Sequence, residues 1–205
     1  MLPGPTIIIS CPFCGQYSKK ETIISGNTYG AQLWSDGKRI APMMPENPIL
    51  VVCKKCDQFF WVKDAKMVTE VTNAVELKEK WGDVDYVEFP TFHQYFKALE
   101  LIPDEIFIRG CIWRSYNDYF RNNEEDKITS EMEQLNSENL TALLKILDEN
   151  DTNELLTKAE VHRNLGQFEK SKELLDRIND PELTWVKEKF LQEINNQNKR
   201  VTLLR

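Results

Sequence analysis

The chain has 205 residues, 41% hydrophobic and 29% charged, which suits one domain or two small ones with an ordinary packed core. No apolar run approaches the roughly 18 residues of a membrane span, and "MLPGPTIIIS" carries neither a basic leader nor a cleavage site. The expected setting is therefore the cytoplasm, with no membrane partner and with thiols kept reduced. The net charge of −7 disfavours polyanions as partners of most of the chain: residues 1–70 carry eight Lys and Arg against six acids, whereas everything after them is acidic.

Residues up to about 62 read as β structure. "PTIIIS", "ETIIS", "AQLW", "KRIA" and "PILVV" are short β-branched or apolar runs broken by Gly, Pro and Asn. Asp36-Gly37 in "WSDGKR" signals a two-residue hairpin turn between two of them. Pro42, Pro45 and Pro48 recur at period three, the spacing of a polyproline II edge, and make "APMMPENP" a stiff connector. From Asp64 onward the pattern turns helical. Thr91 caps a helix with Phe92, Tyr95, Phe96 and Leu99 on one face, and Pro103-Asp104 opens another that runs to about Arg121. "NNEEDK" at 122–127 is a breaker-rich joint, and further helices are expected near 137–149, 153–165, 168–178 and 182–196, before a fraying tail. The expected division is 1–63 and 64–205, with a sub-boundary near 122–130.

The cysteines carry the chemistry. "CPFCG" at 11–15 is answered by "CKKCD" at 53–57, giving Cys11-x2-Cys14 and Cys53-x2-Cys56. Two such knuckles supply the four thiolates of a tetrahedral site, the x2 spacing lets each knuckle wrap an ion, and Gly15 and Asp57 fall where a left-handed residue is needed. A glutaredoxin-type dithiol would need a helix directly after Cys14, but "QYSKKETIIS" reads as strand and leaves Cys53 and Cys56 unexplained. Residues 7–62 resemble zinc ribbons, and the first knuckle resembles rubredoxin. The resemblance implies a closed, structural Zn2+ site on Cys11, Cys14, Cys53 and Cys56; a rubredoxin-like iron carrier is the alternative, disfavoured because the second knuckle lacks the rubredoxin glycine. Cys111 lies inside an apolar helix and reads as a buried structural thiol.

Residues 153–182 resemble one tetratricopeptide repeat: Ala159 and Ser171 take the small positions, Leu165-Gly166 and Phe168 the turn, and Pro181 the end, while Lys158 and His162 depart from the family. His93 and His162 read as ordinary helix residues, and Asp83, Asp85 and Glu88 as a solvated acidic face. No phosphate loop, nucleophile elbow or paired-acid arrangement defines a reaction. The expectation is an α+β protein, a zinc ribbon with a hairpin arm followed by a helical body, acting without catalysis as a protein-binding adaptor. Trp34, Lys38 and Arg39 on the arm are the candidate partner-binding residues, with Trp34 alternatively covering the metal site beside Phe59, Phe60 and Trp61. A nucleic-acid factor using Lys38, Arg39, Lys54 and Lys55 is the rival reading.

Overall fold

A computed structural model describes residues 1–205, as small antiparallel sheets followed by seven α-helices. The chain divides into two compact units. One comprises 1–31 and 40–94, the other 32–39 and 95–205.

The first unit is built on strand β2 (Thr6–Ser10), which pairs antiparallel with β3 (Tyr17–Lys20) on one side and β9 (Lys66–Val71) on the other. A strand flanked on both edges, with Ile8 and Ile9 both buried, explains why "III" runs apolar without alternation. β7 (Leu50–Val52) and β8 (Phe59–Trp61) form a second hairpin, and β1 (Leu2–Pro3) pairs with β4 (Ile23–Ser25). Ile9, Val51, Phe60 and Val62 pack directly around Cys11 and Cys53, and Ile8, Leu50, Phe59 and Val71 are buried in the same unit. β9 corrects the expectation that helix begins at Asp64. "KMVTEV" pairs with β2 across a register shift at Ile8/Ile9 and completes the central sheet, so the first helix, α1 (Ala74–Trp81), waits for Asn73, whose side chain accepts from the Val75 and Glu76 amides. The proline-rich connector is likewise not one extended edge, because Met44 N–H closes a turn onto Ala41 O.

Helix α2 (Phe92–Ala98) opens with a reciprocal cap in which the Gln94 amide donates to Thr91 Oγ1 and the Thr91 amide to Gln94 Oε1. In the second unit α3 (Glu105–Arg121), α4 (Ser130–Ile146), α5 (Thr152–Asn164), α6 (Phe168–Asp176) and α7 (Thr184–Asn195) follow one another, each packed on the next. Asp104, Thr129 and Asp151 cap α3, α4 and α5 through their side chains. α4 starts seven residues before the expected 137, because Thr129 is the effective cap and Met132 already belongs to its buried face. α5 and α6 form a helical hairpin around Gly166, whose φ of +74° is open to glycine at no steric cost. Ala159 and Ser171 are fully buried, and Leu155, Leu175, Val186 and Phe190 join α5, α6 and α7 in one cluster.

Two further expectations change here. The turn at Asp36-Gly37 exists, but Trp34 and Lys38 close it with three residues between them, and Gly37 takes a φ of +77°. β5 (Gln32–Leu33) and β6 (Arg39–Ile40) flank it. The tail does not fray. Leu33 N–H donates to Arg205 O, Leu204 N–H to Leu33 O and Ser35 N–H to Thr202 O, so the tail pairs with the hairpin, and Val201 is buried.

Candidate metal centre

The two knuckles are built alike. In each, the amide of the first cysteine donates to a glutamine carbonyl five residues on, Cys11 to Gln16 and Cys53 to Gln58. The carbonyls of the same two cysteines accept from Gly15 and Asp57. Closing so tight a turn forces a left-handed residue after the second cysteine, and Gly15 (φ +74°) and Asp57 (φ +53°) supply it. Both knuckles join the strands of a hairpin: β2 to β3, and β7 to β8. No helix follows Cys14, which removes the means by which a dithiol enzyme activates its thiol.

All four Sγ atoms lie within 4.8 Å of one another. Cys11 Sγ is 3.8 Å from Cys56 Sγ, and Cys14 Sγ is 3.6 Å from Cys53 Sγ. These separations are far beyond the ~2.05 Å of a disulfide. Four thiolates each ~2.3 Å from one tetrahedral ion stand ~3.8 Å apart, so the donor set fits a metal ion of that size. Cys11 and Cys53 are buried while Cys14 and Cys56 are half-buried.

The thiols cannot ionise together without a cation. Burial raises Cys11. Burial opposes ionisation of Cys53 as well, yet the Lys55 and Cys56 amides and the Cys14 and Cys56 thiols outweigh it and bring that group down to about 7. The Gln58 amide favours a thiolate at Cys56, but desolvation and the three other thiols push it up to about 12. The metal-free cluster thus divides its protons unequally, as closely coupled acids do, and a divalent cation is what would let all four become thiolates.

The other sequence-derived candidates lie elsewhere. Trp34, Lys38 and Arg39 belong to the second unit, and the aromatic residue in the cluster around the cysteines is Phe60. Trp34 lies under the Arg121 guanidinium at 5.5 Å, Lys38 Nζ donates to Asp118 at 2.6 Å, and Arg39 is exposed. Lys54 bridges Asp85 (3.4 Å) and Glu88 (3.1 Å), while Lys55 is exposed. Cys111 is buried beside Arg114, and desolvation raises it despite that cation. His93 is exposed, and His162 Nδ1 meets Gln167 Oε1 at 2.6 Å.

Sequence reasoning missed a buried ion network in the second unit. The Asp36 carboxylate accepts from Arg121 (2.7 Å) and Asn117 (2.9 Å) with no exposure of its side chain. Arg163, also fully buried, pairs with Glu160 at 2.5 Å and donates to Ser35 Oγ and to the carbonyls of Asn198 and Arg200. Only the "SD" of the turn and isolated basic residues on helices stood in the sequence to signal it.

No protein-family model matches this chain, and no curated protein or solved structure gives a match.

Proposed function

We propose that Cys11, Cys14, Cys53 and Cys56 hold one structural Zn2+ ion and that the chain works without catalysis, as a protein-interaction module. The observation that carries the first half is the convergence of four thiols, two from each of two equivalent turns, at separations one tetrahedral ion requires. Four cysteines fill the coordination shell, so the ion has no open position at which to activate water. The site also lies in the core of its unit, with Ile9, Val51, Phe60 and Val62 packed around Cys11 and Cys53. A metal ion there cross-links the two knuckle-bearing hairpins. Zinc is favoured over iron because the second knuckle carries Asp57 where the rubredoxin resemblance implies glycine.

The interaction half is supported by the consecutive packed helices and by the likeness of residues 153–182 to a tetratricopeptide unit, a scaffold that serves binding. The nucleic-acid reading loses support, because Lys38 faces Asp118 at 2.6 Å and carboxylates Asp85 and Glu88 stand beside Lys54.

Elemental analysis of protein purified without added metal is the test. One zinc per chain is expected, with four thiols becoming reactive only when a chelator is added with a denaturant. Stoichiometric iron with a visible absorption band would replace this reading with electron transfer. A metal-free, folded chain would sink it.

A further inference from the structure

The second knuckle borders an open groove of about 510 Å3, all within the first unit. Its size lies in the range of about 300–1,000 Å3 typical of ligand-binding clefts. Two of its walls are strand edges with nothing paired to them. In the β7–β8 hairpin, Cys53 N–H bonds to Gln58 O and Val62 N–H to Ile49 O, which makes Val51 and Phe60 the hydrogen-bonded pair between them. The N–H and C=O of Val52 therefore point away from β8. On the other wall, Lys19 N–H donates to Asp85 O and Val87 N–H to Lys19 O, a parallel bridge centred on Tyr86. Tyr86 thus turns its own N–H and C=O away from β3. No backbone partner meets Val52 or Tyr86 on these open sides, and both residues line the groove.

The lining also has a charge. Four carboxylates, Asp57, Asp83, Asp85 and Glu88, stand against Lys54 and Lys55. Lys54 spans Asp85 and Glu88 with all three side chains more than half exposed, a contact of little strength that an incoming cation can exchange. Asp57 and Asp83 make no ion pair, and the exposed rings of Tyr17, Tyr86 and Phe89 add an apolar lining. A tetrathiolate zinc centre at Cys53 and Cys56, on the reading above, adds further negative charge beside this wall.

We infer that this groove binds an extended basic peptide segment of a partner protein, which adds as a strand along the open edges at Val52 and Tyr86 and sets its cationic side chains against Asp57, Asp83 and Glu88. This deepens, and rests on, the interaction-module reading. Main-chain hydrogen bonds supply the docking mode, and alternation along the strand sorts apolar residues toward Tyr17 and Phe89 and lysines toward the carboxylates.

The test is fluorescence anisotropy on the full zinc-loaded chain with labelled Lys-Val-Lys-Val-Lys-Val-Lys, at about 50 mM salt where exposed charges still act. Compared with it are the Glu-Val counterpart and a version N-methylated at alternate residues, which keeps its charge but cannot add as a strand. The Lys-Val peptide should bind saturably, and N-methylation or the exposed double change Asp83→Lys/Glu88→Lys should each weaken it about tenfold, or 1.4 kcal/mol. The same charge reversal on the helical unit, Glu173→Lys/Glu188→Lys, should change it far less. Equal binding of the N-methylated or Glu-Val peptide, equal effects of the two charge reversals, or no saturable binding would each overturn the inference. Zinc content and circular dichroism are read on the same sample. A zinc-loaded, folded chain that binds no peptide defeats the groove and leaves the module reading standing, whereas absence of zinc defeats that reading while the titration still decides the groove.

Discussion

Two residues occupy the same left-handed position in equivalent turns, and only one is glycine. At Gly15 (φ +74°) an added Cβ meets no neighbour, so Gly15→Ala is penalised by backbone conformation alone, at about 1–2 kcal/mol. At Asp57 (φ +53°) that cost is already present, and Asp57→Gly exchanges it for the greater freedom of glycine in the unfolded chain. Its net effect should stay within about 1 kcal/mol of zero. Urea melts of the two variants distinguish them, and equal losses would mean that backbone strain does not decide these positions. Both were legible in the sequence, because a CxxC turn is local: five residues determine where its amides point and which φ must follow. The convergence of the two turns was legible too, since four soft ligands in two equal pairs have few other uses.

At the scale of elements, the hairpin 32–39 joins the helical unit through charges of very unequal worth. Asp36 and Arg121 are buried with 0% and 1% of their side chains exposed, while Lys38 and Asp118 retain 26% and 31%. Removing one member of a buried pair strands the other, so Asp36→Ala should cost the helical unit about 3 kcal/mol, eased somewhat because Asp118 still meets Arg121 Nε. Lys38→Ala should cost less than about 1 kcal/mol, since water already screens that pair. Denaturant unfolding followed by far-ultraviolet circular dichroism is the measurement, and a loss for Asp36→Ala no greater than for Lys38→Ala would show that the buried pair does not hold the hairpin. This part of the fold was not legible. Helices α3 to α7 announced themselves through caps and apolar spacing, but Asp36 and Arg121 are 85 residues apart and nothing local marks them as partners. β9 was misread for a related reason: "KMVTEV" fits either period until β2 is there to pair with it.

At the scale of the whole molecule, the chain passes between the two units at 31/32, 39/40 and 94/95. Stripping the metal should therefore not unfold everything between the knuckles. Hydrogen exchange with a chelator present should show protection lost over 7–20 and 50–62 but kept over 33–38, whose amides bond to Lys38 O, Trp34 O and Thr202 O. Exchange of 33–38 in step with the knuckles would contradict that assignment.

The pairing of the hairpin with the tail bears on how fast the helical unit can assemble. Ser35 Oγ accepts from Thr202 N–H across 167 residues and from Arg163 across 128. Helices stacked in chain order close only short loops and fold quickly, whereas these closures bear the entropy of nearly the whole chain. On the ribosome the hairpin emerges long before its partners exist. Asp36 must remain in water until α3 has been made, and Ser35 until the tail has appeared. The helices can form as they are synthesised, but the step that closes the tail over Ser35 and Arg163 comes last.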